Sequence, residues 1–203
     1  METAFLHGFC LALGLILPLG AQNLFILQQG IVQPSFAAAL PSIAAASAAD
    51  TILICLAVSG ISLIILAVPL LKNVLIIGGA AFLLYLAFVT WRTADTPLTS
   101  ENSASLLSAR QQIGFALSVS ILNPFAILDT IGVIGTSSLS YSGQEKLAFT
   151  IATILVSWLW FTALSRFGHF IATHPNRLIS PARISRISSV VICFSALTLL
   201  KGL

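Results

Sequence analysis

Charge is what this sequence has least of: 7% of its 203 residues are Asp, Glu, Lys or Arg, against about 25% in ordinary soluble domains. With 58% apolar side chains and a mean hydropathy of +1.04, the chain reads as an integral membrane protein whose surroundings are the lipid bilayer. Nine Lys and Arg against six Asp and Glu leave a net +3, spread too thinly for the basic patch that nucleic acid requires. No Gly-x-x-x-x-Gly-Lys-Ser/Thr phosphate loop occurs, so neither ATP-driven chemistry nor any cofactor is expected. Methionine appears once and cysteine three times. Cys10, Cys55 and Cys193 stand far apart, each in an apolar run; their odd number argues against a disulfide framework and their spacing against a soft-metal site. A basic leader is missing too, since Glu2 stands where a signal peptide carries positive charge and the apolar run continues past a normal signal core. The first segment is therefore expected to remain as a membrane helix.

What is present is apolar sequence in long pieces. Six stretches, about 4–28, 36–60, 68–91, 111–137, 146–168 and 184–202, approach the roughly 20 residues that a membrane-crossing helix needs. The predicted fold class is all-α, one transmembrane domain over 1–203 with about six helices. Gln28 to Ser35 reads as a turn-rich polar link, with Pro34 suited to the start of the next helix. Only the region Gly60 to Pro69 separates the second and third stretches, so five spans is the main competitor. Arg92 to Arg110, rich in Ser and Thr with Asp95, Pro97 and Glu101, reads as a linker (93–110) between a first half, about 1–92, and a second, about 111–203.

The halves share a weak likeness. Gly8-Phe9-Cys10-Leu11 matches Gly114-Phe115-Ala116-Leu117, Pro18 matches Pro124, and Asn23 falls opposite Asp129. With three spans per half, the second half enters the membrane inverted. That is the plan of many secondary transporters, where broken helices at matching positions, here the first and fourth, build a site near the midplane. The plainer explanation is that prolines merely kink membrane helices. On six spans, Arg92, Arg110, Arg166, Arg177, Arg183 and Arg186 fall on one face and Lys72, Lys146 and Lys201 on the other. The positive-inside rule then puts the arginine face in the cytoplasm and both termini outside.

Two acidic groups lie inside apolar stretches. Asp50 stands in Ala48-Ala49-Asp50-Thr51-Ile52, where an ionised Asp costs roughly 2.5–3.5 kcal/mol to insert. No Lys or Arg occupies the central part of any stretch. Asp50 must therefore be neutralised by a proton, by a water-filled cavity, or by a cation that comes and goes; a protonated Asp50 bonded to a neighbouring helix is the structural alternative. Asp129 follows Asn123-Pro124, and Pro124 removes one backbone donor and frees nearby groups to bind something. The first stretch repeats the device: Pro18 and Gly20 loosen the helix just before Gln22 and Asn23, whose amides donate and accept. Free amides and helix ends suit the carboxylate and ammonium of an amino acid, although Gln22 and Asn23 could also serve as interhelical hydrogen-bond formers.

These segments resemble the lysine exporter (LysE) family, on the branch of lysine and arginine exporters, and the likeness covers nearly the whole chain. It rests on Leu17-Pro18-Leu19-Gly20-Ala21-Gln22-Asn23 with Gln29-Gly30-Ile31, on Asp50, and on Gly78-Gly79-Ala80-Ala81-Phe82-Leu83-Leu84-Tyr85. It rests also on Leu122-Asn123-Pro124 with Leu128-Asp129-Thr130, and on Leu159-Trp160-Phe161. The family pattern has Pro at Ala21 and usually Ser at Ala49, departures that weaken any transfer of substrate. The resemblance implies multi-pass export of amino acids across the bacterial plasma membrane, driven by a proton gradient or the membrane potential. Two uncompensated carboxylates agree with a basic amino acid as substrate, and Trp160 is carried over as a pathway residue. Neutral amino acids such as threonine or homoserine, or divalent metal ions, are the alternative cargoes of the wider superfamily.

An enzyme is not expected. Paired membrane aspartates can hydrolyse peptides, but Asp129 follows Ala126-Ile127-Leu128 and lacks the Gly-x-Gly-Asp context, and His7, His169 and His174 form no His-Glu-x-x-His arrangement. Gly78-Gly79 and Gly132 with Gly135 are expected to permit close helix contact. Self-association into a homo-oligomer stays open.

Overall fold

The computed structural model describes residues 1–18, 20–60, 69–93, 106–121, 123, 126–127, 130–173 and 181–200. Among these residues every regular element is a helix, the form in which a segment in lipid satisfies its own backbone. Helix α1 covers Glu2–Ile16 and α2 Ala21–Val32. They meet at 78° across the Pro18–Gly20 break. Helix α3, Phe36–Val58, is capped by Ser35, whose Oγ accepts from the Ala38 amide at 3.2 Å. It ends at Gly60, where φ of +88° suits glycine. Helix α4 runs over Pro69–Thr93, with proline at its first position. Helix α5, Ala109–Ile121, starts from a capping box in which Ser108 N donates to Gln111 Oε1 at 2.9 Å and Gln111 N to Ser108 Oγ at 3.4 Å. A π-helical segment, Thr130–Gly135, continues into a short turn, Thr136–Ser138. Helix α6 spans Gly143–Thr173 and α7 Pro181–Leu200.

Two of these helices are individually long and apolar enough to cross a membrane, α3 with 23 residues and α6 with 31, and the bent pair α1–α2 makes a third candidate. Large apolar side chains such as Ile52, Ile77, Phe88, Leu155 and Leu159 are exposed on the outside, the reverse of a soluble protein and the distribution that lipid favours. The chain is an integral membrane protein.

Helix α6 is the central post. Helices α1, α2 and α3 all pack along it; α3 also lies against α5 and the π segment, while α4 pairs with α7, and α7 touches α2. Close approach depends on three glycines. A Cβ at Gly8 would lie 2.6 Å from the Phe149 carbonyl oxygen; one at Gly30 would collide with the Ser165 backbone, and one at Gly168 with the Leu27 carbonyl. Of the glycines expected to permit close contact, Gly79 and Gly135 are buried, whereas no described atom comes within 4 Å of a Cβ built on Gly78 or Gly132. A small residue helps only on the face that meets a neighbour, and spacing alone does not reveal that face.

The polar link expected over Gln28 to Ser35 is mostly helix. Helix α2 continues through Val32, leaving Gln33 to Ser35 as the connection, and Gln29 and Gln33 are buried. Their amides bond each other, so polarity there marks an interior cluster. The region between Gly60 and Pro69, most of the Arg92–Arg110 linker and His174 lie outside the described residues.

The packing sorts the helix ends into two groups. Arg166 of α6 sits 5.4 Å over the Phe36 ring at the start of α3, and Arg186 of α7 sits 5.8 Å over Trp91 at the end of α4. Arg92 and Arg110 belong to the same end by their places at the end of α4 and the start of α5. At the opposite end, the Met1 ammonium pairs with Glu145 at 3.4 Å and His7 Nδ1 is 2.8 Å from the Tyr141 hydroxyl.

Candidate functional site

The break between α1 and α2 opens onto a cavity of about 380 Å³, at the lower end of the roughly 300–1,000 Å³ usual for small-molecule sites. Its wall includes Pro18, Gly20, Ala21, Gln22 and Asn23 from the break, Asp50 and Ile54 from α3, and Ser157 and Phe161 from α6. Asn123, Ala126, Thr130 and Ile134 come from the second half, with Leu83 from α4 and Val191, Phe194 and Thr198 from α7. The cavity extends from the break toward the end of the bundle that lacks arginine, as Ile54, Ile134 and Thr198 show by their places along their helices.

The break is held open by one amide. Where α1 ends, its last carbonyls lose their helical donors. Asn23 Nδ2 supplies two replacements, donating to the Ile16 oxygen at 2.6 Å and the Pro18 oxygen at 2.9 Å. Asn23 Oδ1 in turn accepts from Trp160 Nε1 at 3.2 Å. Asn23 therefore faces the cavity with both its N–H groups already engaged. Trp160 stands behind the wall, half-buried against the apolar cluster that contains Phe161, and fixes the brace in place. Gly20 caps α2 at φ −79° and ψ 179°, extended backbone open to any residue.

Asp50 is the one carboxylate among the described lining residues, and no Lys, Arg or His joins it there. Gln22 Nε2 donates to its Oδ1 at 3.0 Å, and Ser157 is a second hydrogen-bonding neighbour. Gln22 belongs to the first turn of α2, whose N-terminus has no side-chain cap. Uncapped N–H groups and the helix dipole make that end attractive to an anion. The cavity thus places a negative side chain beside a positive helix end, a pair of poles matching a zwitterion.

Asp129 and Pro124 lie outside the described residues; Asn123 and Thr130, on either side of them, both line the cavity. Ser157 has nothing in the sequence that singles it out, because hydroxyls are frequent and inexpensive in membrane helices; Thr130 stands out only as part of the Leu128-Asp129-Thr130 segment. Among the described residues no three His, Cys, Asp or Glu converge, and all three cysteines are free thiols.

A solute-sized chamber thus lies at a broken membrane helix, with a carboxylate beside an uncapped helix end. The LysE type translocator family model matches residues 13–202, so the chain belongs to the LysE family. YisU of Bacillus subtilis (strain 168), whose name provisionally assigns it to amino-acid transport, is 52% identical over 84% of this chain and 77% of its own length. The arginine exporter protein ArgO of Serratia proteamaculans (strain 568) is 32% identical over 98% of this chain and 97% of its own. ArgO of Escherichia coli (strain K12) is 30% identical, with 99% of this chain and 95% of its own covered. No solved structure matches. The protein is a transporter of the bacterial inner membrane, not an enzyme.

Proposed function

We propose that the chain is a secondary exporter of amino acids, with L-arginine or L-lysine as cargo, driven by a proton gradient or the membrane potential. The observation that carries this reading is the cavity carboxylate, Asp50, beside the uncapped start of α2. The cargo's carboxylate sits on the α2 N–H groups, Asp50 holds its positive charge, and Asn123, with Asp129 from the same region, completes the set. The arginine exporter relatives, aligned over nearly the whole chain, support the same cargo.

Two inverted repeats, about 1–92 and 111–203 around a linker over 93–110, give this site its alternating access. Support comes from the packing: exchanging the halves turns the α1–α6 contact into the α5–α3 contact, and α2–α6 into π segment–α3, while α4–α7 maps onto itself. A second interruption also follows α5, where the sequence has Asn123-Pro124. The positive-inside rule places the arginine end in the cytoplasm.

Cells loaded with arginine- or lysine-containing dipeptides test the cargo. Expression of the protein is expected to speed efflux of the basic amino acid and to lower its steady internal level, with a rate that follows external pH or membrane potential. Equal retention with and without the protein overturns the reading, and selective efflux of threonine or homoserine reassigns the cargo.

The bracing position of Trp160 gives a finer expectation. Trp160→Phe keeps the ring and loses one hydrogen bond, about 1 kcal/mol, so export is expected to fall less than about fivefold. A loss as complete as removal of Asp50 would place the indole in contact with cargo.

A further inference from the structure

On the arginine side of the cavity the interior turns apolar and then polar again. The apolar layer includes Ile26, Ile43, Ala46, Ala116, Phe161 and Leu164. Beyond it Gln29, Gln33 and Gln112 are buried, at 4%, 6% and 2% exposure. Gln33 lies roughly 16 Å from Gln22 along α2, at 1.5 Å per residue. Gln33 Nε2 donates to Gln29 Oε1 at 3.0 Å and to the Leu107 carbonyl at 3.2 Å. Gln112 Nε2 donates to the same carbonyl at 3.1 Å and to the Ala38 carbonyl at 3.0 Å.

These bonds staple the α2–α3 corner to the start of α5, yet they leave atoms unused. Gln112 Oε1 is buried without a partner, and so is Ser165 Oγ, on the residue whose backbone presses against Gly30. Ser47 Oγ, one turn from Asp50 on α3, and Ser120 Oγ, one turn from Asn123 on α5, are also unpartnered, as is His169 Nδ1, one turn beyond Ser165. These five are all the buried side-chain polar atoms without a partner among the described residues. Ser47, Gln112, Ser120 and Ser165 lie between Asp50 and the arginine end, and His169 lies at that end. Buried polar atoms without partners ask for a reason beyond packing.

We propose that the glutamine cluster, with Gln112 Oε1 and Ser165, is a second polar station of the translocation path, binding the ammonium-bearing cargo on its way between the arginine end and the Asp50 cavity. It rests on the function proposed above. This apolar layer is the gate between the two stations, closed in this conformation. Acceptor oxygens suit the cargo's ammonium groups, and amides already fixed by the staple hold those acceptors in place without reorganisation.

Ser165→Ala is the decisive variant, because it removes a hydroxyl that makes no hydrogen bond within the described protein. If that hydroxyl is only packing, removing it leaves the protein as stable or more so and transport unchanged. The station instead requires a KM raised about five- to tenfold for radiolabelled arginine or lysine presented from the arginine end in inside-out vesicles. Affinity measured from the opposite face in intact cells is expected to stay within about twofold, and melting temperature and membrane yield should equal the wild type's. Unchanged KM from the arginine end in a wild-type background that transports the cargo overturns the station and leaves the cargo intact. An equal rise in KM from both faces also overturns it, since the hydroxyl would then act on the whole protein. Failure of the wild-type chain to move either amino acid overturns the cargo and the station together.

Discussion

Asp50→Asn is expected to abolish export while the protein still reaches the membrane in normal amount. The two side chains have the same shape, and the substituted amide can turn its oxygen toward the Gln22 amide that now donates to Asp50 at 3.0 Å, leaving its own NH2 for Ser157. The local network survives; only the charge is lost. An uncharged amide also enters a membrane helix at lower cost than a carboxylate, so poor insertion is not the expected failure. Taking away one partner of a buried charge pair costs about 3–5 kcal/mol, and at about 1.4 kcal/mol per factor of ten export falls more than a hundredfold. Initial efflux rates from dipeptide-loaded cells, set beside immunoblots of the membrane fraction, measure both quantities. Asp50→Glu keeps the charge and displaces it by one methylene, so it should keep part of the activity. Wild-type efflux from Asp50→Asn would remove the carboxylate from the mechanism and, with it, the match between the cavity's two poles and a zwitterionic cargo.

The elements that the sequence made legible are those governed by local chemistry. Proline deletes a donor wherever it stands in a helix, so a break at Pro18 could be read directly, and the 78° bend is there. An acidic residue in an apolar run is conspicuous by its cost, and Asp50 does face the cavity. What remained hidden depends on partners distant in the chain. Gln33, in the link after α2, looks like an exposed residue until its amide is found buried on the Leu107 carbonyl, 74 residues away. Asn23 looks like a ligand until Ile16, Pro18 and Trp160 are found to occupy it. Glycine spacing suggested contacts at Gly78-Gly79 and at Gly132 with Gly135; a Cβ on Gly78 or Gly132 would meet no described atom, and the tight seams found lie at Gly8, Gly30 and Gly168. In each case the residue type was informative, but its role was set by which face of the helix met which neighbour.

Those glycine contacts carry the largest expected effect on stability. A Cβ at Gly30 meets the Ser165 carbonyl, and a Cβ at Gly168 meets the Leu27 carbonyl. Both obstacles are backbone, so no side chain can rotate away; α2 and α6 must separate. Overpacking that moves backbone costs typically about 1–3 kcal/mol and sometimes more, and Gly30→Ala and Gly168→Ala should fall at the upper end, about 3 kcal/mol each. The damage is not confined to the seam. Helix α2 brings the positive helix end and Gln22 to the cavity, while α6 brings Ser157 and the Trp160 that braces Asn23, so separating them pulls the two walls of the site apart. Both variants are expected to show low yield and an early melting transition in detergent, with export falling by more than the loss of protein accounts for. Gly78→Ala and Gly132→Ala, whose added methyl groups meet no described atom, are the matched controls and should match wild type in yield and melting. If all four variants behaved alike, the tight α2–α6 seam would not be what positions the site. If only Gly30→Ala and Gly168→Ala fail, the close approach of two backbones is what holds the broken helix against the post that completes its cavity.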